Sequence, residues 1–199
     1  MKKLVISICI GVFAAMSFIA FANDTEQNLT NGLIRMHVRA NSNRPEDQSL
    51  KLKVRDRLLK ESTSLVEGVS DIQTAQKLIN DNLNHLKKVA LDEIRKNGYD
   101  YPVAIKLGKS DFPVKTYGNI TLPAGTYKAL TVDIGKGAGE NWWCVMFPPL
   151  CFTPESTECT ASPDEDMLIE NLGDDTYSMV NSGKVKIKFK IYEILQWLW

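Results

Sequence analysis

A chain of 199 residues with 44% hydrophobic side chains can bury a core of its own, which excludes general disorder and favours one domain, with or without a tail. Its 24 basic and 24 acidic residues give a formal charge of +0, and no Lys/Arg patch interleaved with aromatics appears, so a dedicated nucleic-acid binder is excluded.

In chain order, Lys2 and Lys3 precede an apolar run from Leu4 to Ala20, and Ala20-Phe21-Ala22 then offers a small-residue cleavage site. This is the layout of an export signal cut after Ala22. The run is also about as long as a spanning helix requires, so an uncleaved anchor is the other reading. Either way the body of the protein is expected outside the cytoplasm. Cys9 lies in this run without a lipobox. Cleavage leaves Cys144, Cys151 and Cys159, and in an exported chain a disulfide is the default. Cys144 and Cys151 flank the reversal at Pro148-Pro149 and are the best pair.

Leu33 to Ala40 alternates Ile34, Met36 and Val38 with Arg35, His37 and Arg39, which predicts a strand with one apolar and one basic face. A turn then leads to a helix starting at Pro45, with Glu46 and Asp47 near its positive end and a buried stripe of Leu50, Val54 and Leu58. Lys51, Lys53, Arg55, Arg57 and Lys60 read as its solvated face. A second helix is expected from about Asp71 to Lys96, capped by Ser70 and Gln73 and stopped by Asn97-Gly98. His85 falls outside its stripe and is expected at the surface.

Beyond Gly98 the period becomes strand-like. Tyr101, Val103, Ile105 and Leu107 alternate, a run near Val114 to Thr121 reaches a hairpin turn at Leu122 to Gly125, and Leu130, Val132 and Ile134 line the return strand. Gly135 to Gly139 lacks a phosphate-cradling pattern and reads as a flexible hairpin connection to a strand holding Trp142 to Phe147. Residues 153–183 form an acidic, loop-rich connection, with one short helix near Asp164 to Asn171 and no calcium-loop spacing. Lys184 to Lys190 alternates as an edge strand, and Ile191 to Trp199 is a short amphipathic segment. The expected fold is α+β: an antiparallel sheet with two consecutive helices packed on one face, plus an N-terminal signal or anchor helix. The expected division is 1–22 signal or anchor, 31–152 core, 153–183 connection and 184–199 C-terminal segment.

No catalytic constellation, metal set or cofactor motif is present in the sequence. His37 and His85 are too few for a zinc site. A Cys144–His37 dyad in a cell-wall thiol hydrolase is one alternative, although Cys144 sits in an apolar strand with no helix terminus to activate it. A membrane-associated structural protein, with its "KVKIKFKIYEILQWLW" tail on an anionic bilayer, is another. Trp142 and Trp143 point to opposite faces of a regular strand, one to the core and the other to a rim or interface, or both into core.

The segments "LIRMHVRANSNRPEDQSLKLKVRD", "KTYGNITLPAGTYKALTVDIG" and "GKGAGENWWCVMFPPLCF" together resemble the stage II sporulation protein R family. The resemblance covers roughly Leu33 to Phe152 and carries nothing onto Thr153 to Trp199. It implies a non-enzymatic signal, exported by the forespore into the space between the septal membranes. There it triggers a membrane-embedded aspartyl protease of the mother cell, which processes pro-sigma-E. On that reading Arg35, His37, Arg39, Trp142, Trp143, Phe147, Pro148 and Pro149 are candidate partner contacts. The family pattern favours a small polar residue where this chain has Arg44, which leaves Ser42 or Asn43 to cap the following helix.

Overall fold

The computed structural model describes residues 2–150 and 165–181. In chain order its elements are α1 (Lys2–Asn31), β1 (Ile34–Arg39), α2 (Pro45–Leu65), α3 (Ile72–Asp81), α4 (Leu83–Lys96), β2 (Val103–Phe112), β3 (Lys115–Tyr117), β4 (Ile120–Leu122), β5 (Gly125–Ile134), β6 (Asn141–Phe147), α5 (Glu165–Leu172) and α6 (Asp174–Val180). Cys151, Cys159, the strand expected over Lys184 to Lys190 and the segment from Ile191 to Trp199 lie outside the described residues.

The four-stranded sheet has the order β2-β5-β1-β6. β2 pairs antiparallel to β5 and β6 antiparallel to β1, but β1 and β5 run parallel, with Met36 opposite Leu130 and Val38 opposite Val132. The sheet is mixed, which corrects the expectation of a purely antiparallel one. The long excursion through α2, α3, α4, β2 and the β3–β4 hairpin returns the chain to the starting end of β1, as a parallel pair demands.

Strand alternation sorts the side chains onto two faces. Ile34, Met36, Val38, Leu130, Val132, Ile134, Cys144 and Met146 bury against Leu50, Val54 and Leu58 of α2 and Leu86, Ala90 and Ile94 of α4. On the other face Leu33, Phe112, Tyr127, Ala129 and Val145 meet a smaller cluster. That cluster draws Leu29 from α1, Tyr117, Ile120 and Leu122 from the β3–β4 hairpin, and Leu168, Leu172, Tyr177 and Val180 from α5 and α6. Helices therefore cover parts of both faces, not one. The short helix expected near Asp164 is α5, and α6 follows it unforeseen.

Three local expectations change for identifiable reasons. The long second helix breaks at Asn82, whose side-chain amide donates to the Leu78 carbonyl at 2.8 Å and competes with the backbone ladder. Its N-cap is Asp71, which accepts from the Thr74 N–H at 2.8 Å, in place of the Ser70–Gln73 box. The tight turn of the small sheet lies at Gly118, with φ +59, between β3 and β4. The Leu122 to Gly125 stretch instead carries the chain from that hairpin to β5 in the large sheet.

The glycine stretch after β5 is no hairpin connection, because β1 lies between β5 and β6. It arches over the end of β1 and is stitched to the turn that follows. The Gly139 N–H donates to the Ala40 carbonyl at 2.9 Å, the Lys136 N–H to Asn41 Oδ1 at 3.0 Å, and the Glu140 N–H to Asn43 Oδ1 at 2.7 Å. Gly135 and Gly137 have φ +60, a region that side chains rarely adopt. The N-cap of α2 is Arg44, without a side-chain hydrogen bond. Ser42 braces the turn another way: its hydroxyl donates to Asp47 Oδ2 at 2.5 Å.

α1 is a single helix whose last turn is tied into the fold by Leu29, with Gly32 just beyond it packed against Asn171 and Leu172 of α5. Toward its start, Val5, Ile6, Ile8, Ile10, Val12, Phe13 and Met16 are 53–74% exposed. Among the described residues no helix is long and apolar enough to cross a membrane.

Candidate partner-contact surface

β1 supplies the centre of the candidate surface. Its odd residues point away from α2 and α4. Arg35, closest to the α5–α6 cluster, is fully buried. His37 comes next, and Arg39 lies at the half-open end. The expected basic strip is thus graded from core to solvent. Arg35 does not face a partner in this state, because Phe112, Tyr117 and Tyr127 enclose it.

His37 pairs across the strands with Trp143, and their rings stack with centroids 3.8 Å apart and planes 24° from parallel. Phe112 closes one side, 4.8 Å from Trp143 and 6.0 Å from His37 between centroids. His37 Nε2 lies 2.7 Å from Asn141 Oδ1, and Nδ1 lies 3.4 Å from Ser110 Oγ. A neutral ring that donates from Nε2 and accepts at Nδ1 satisfies both contacts. Burial holds its pKa below the ordinary 6.5; the Asn141 contact and Asp133 oppose the shift, while Arg39 adds to it.

Arg39 is neutralised by Asp133 on β5. Its Nε and Nη2 donate to the two carboxylate oxygens at 2.5 and 2.6 Å. The pair is part-exposed, so it fixes geometry more than it adds stability. The surface at this end offers a stacked His–Trp pair, an exposed Asn141 and a fixed ion pair.

The tryptophan–proline element divides as alternation predicts. Trp143 belongs to the His37 face, and Trp142 to the helix face, where Arg55 of α2 lies 4.1 Å over its ring. Both are half-buried. Phe147 and Pro148 are buried, joined by a cis peptide bond, and Pro149 is half-buried. Phe147 and Pro148 are core residues here, which removes them from the accessible contact set.

Cys144 is fully buried on the helix face, while His37 projects from the other side of the sheet, so no Cys–His dyad forms. The Cys144 sulfur is not a free thiol. His85 lies at the surface, with Nε2 2.8 Å from Glu61 Oε1. Among the described residues no group of His, Cys, Asp and Glu could hold a metal ion.

Sequence reasoning missed Phe112, Ser110, Asp133 and Asn141 as members of this surface. Asn141 and Asp133 stand beside strand residues that were singled out, but only strand order brings them to His37 and Arg39. The one available signal for Phe112 was an aromatic ending an alternating strand.

A family model described as stage II sporulation protein R matches residues 30–157. The chain is similar to stage II sporulation protein R of Bacillus subtilis (strain 168), with 38% identity over 176 residues, or 83% of this chain and 78% of that protein. No solved structure matches. The matched stretch holds every strand from β1 to β6 and every residue of the His37–Trp143 surface.

Proposed function

The chain belongs to the stage II sporulation protein R family, and from that membership we propose that it is an exported sporulation signal and not an enzyme. In this reading it passes from the forespore into the space between the septal membranes. There it activates a membrane-embedded aspartyl protease of the mother cell, which then processes pro-sigma-E. The single observation that supports a contact role most directly is the half-buried Trp143 stacked on His37, at the part of the sheet face where the apolar cluster gives way to polar side chains. Trp at a rim, held rigid by a neighbour, is the type of residue that concentrates binding energy.

Export is proposed from the Lys2-Lys3 start, the exposed apolar run of α1 and the Ala20-Phe21-Ala22 site. Cleavage after Ala22 leaves the docked end of α1 with the folded protein, and retention makes α1 an anchor at the membrane surface. A Cys144–Cys151 disulfide is proposed as the closure of the Pro148-Pro149 reversal, in keeping with an exported protein.

Deletion in the source organism, complemented with the wild-type chain or with His37→Ala and Trp143→Ala variants, tests the reading by blotting for sigma-E maturation. Loss on deletion, rescue by wild type and failure of the secreted variants are expected. Normal maturation in the deletion strain would overturn it.

A further inference from the structure

Among the described residues Arg35 is the largest fully buried side chain. Among the described residues no carboxylate pairs with it, and its Nε and Nη1 have no hydrogen-bond partner. Nη2 donates to the Tyr117 hydroxyl at 2.9 Å. The guanidinium carbon sits 4.0 Å from the Phe112 centroid, 4.7 Å from Tyr127 and 5.8 Å from Tyr117. Three ring faces soften the burial of the charge without cancelling it. The Tyr127 hydroxyl does not become the missing anion, because burial raises its pKa.

A buried charge without a partner is an unfavourable arrangement, and an apolar side chain of similar volume fits such a site at least as well. Stability does not account for an arginine here. The vacant atoms indicate what does. A carboxylate binds a guanidinium through two parallel N–H bonds, and both forks of the group, Nε with Nη2 and Nη1 with Nη2, include the atom now held by Tyr117. Nη2 carries two N–H groups, so the Tyr117 hydroxyl occupies one of these forks and leaves both N–H groups of the other without a partner. Phe112, which covers Arg35, is also the ring that packs against the half-buried Trp143. Tyr117 sits on the short β3–β4 hairpin, outside the main sheet.

We propose that Arg35 is a latent carboxylate-docking residue: an acidic side chain of the partner protein enters beside Trp143, displaces Phe112 and replaces Tyr117 on the guanidinium. This rests on the signalling reading above and names the chemistry by which that surface is read. It makes Tyr117 a latch on one side of the guanidinium until the partner arrives.

The test uses full-length Arg35→Met, Arg35→Lys and Tyr117→Phe in the deletion strain, with sigma-E maturation by blot and melting of the purified secreted proteins. Arg35→Met is expected to melt at or above the wild-type temperature while maturation falls roughly tenfold or more. Arg35→Lys, which keeps charge and loses the fork, should rescue only partly. Tyr117→Phe, which frees Nη2, should mature sigma-E at least as well as wild type. Wild-type maturation with Arg35→Met overturns the proposal. If Arg35→Met does not fold, Tyr117→Phe decides: maturation falling in step with its melting temperature assigns Arg35 to the scaffold and also overturns it. Failure of this proposal with loss in Trp143→Ala leaves the signalling reading standing; normal maturation in the deletion strain removes both.

Discussion

His37 and Trp143 stack across two adjacent strands with 3.8 Å between ring centroids, and this pair joins the core of the second sheet face to its polar end. Trp143 loses part of its surface to His37 and Phe112 and keeps the rest in solvent. Trp143→Ala should cost about 2 kcal/mol of folding stability, since the ring is only half-buried, and Trp143→Phe should cost less. Urea denaturation reads both. If the pair also contacts the partner, sigma-E maturation per secreted molecule falls in Trp143→Ala beyond what the stability loss explains.

His37 links stability to pH. Its folded pKa lies below the ordinary 6.5, chiefly because burial disfavours the imidazolium beside Arg39, against the pull of Asn141 and Asp133. The unfolded chain therefore takes up a proton first as pH falls. The contribution of His37 is fully present above about 6.5 and declines as pH drops toward the folded pKa. The urea midpoint of the wild type should fall between pH 7.5 and 5.5, and His37→Gln should flatten that slope. An unchanged slope in His37→Gln would assign the pH dependence to other groups.

Cys144 is buried against the helices and its sulfur is engaged. If it pairs with Cys151, Cys144→Ala removes a short closed loop and costs about 2–3 kcal/mol. Cys151→Ala should then match it, and the double variant should add nothing further. Free-thiol counts of the mature wild-type protein check the pairing directly. Maturation per folded molecule should persist in Cys144→Ala, because the sulfur points away from the His37 face; abolished maturation at wild-type stability would contradict that separation.

Gly32 joins α1 to the body. A Cβ there would run into the backbone oxygens of Asn171 and Asn28 and the Leu172 side chain. Gly32→Ala should destabilise by about 1–3 kcal/mol through overpacking, while Gly11→Ala, with nothing within 4 Å, should leave the folded body unchanged. Thermal melts of the two variants make the comparison. Equal melting temperatures would show that α1 is not seated on α5.

Much of the local structure was legible because it follows from periodicity. Ile34, Met36 and Val38 faced the core, Leu50, Val54 and Leu58 formed the stripe of α2, and Trp142 and Trp143 fell on opposite faces. The break at Asn82 and the cap at Asp71 were harder, since they turn on which of several polar side chains wins a backbone group. The family was legible too, from three long segments in order, and the match over residues 30–157 agrees.

By itself, then, the sequence determined which residues are apolar together and which face of a strand or helix each occupies, because that depends on the local repeat of the backbone alone. Only the tertiary structure decided that β1 lies between β5 and β6, parallel to one and antiparallel to the other. That order carries Asp133 to Arg39 and Asn141 to His37, and encloses Arg35 among Phe112, Tyr117 and Tyr127. Contacts between residues roughly a hundred positions apart are set by how the apolar faces of the whole chain close on one another. A basic strip in the sequence became, for that reason, one buried cation, one stacked histidine and one paired arginine.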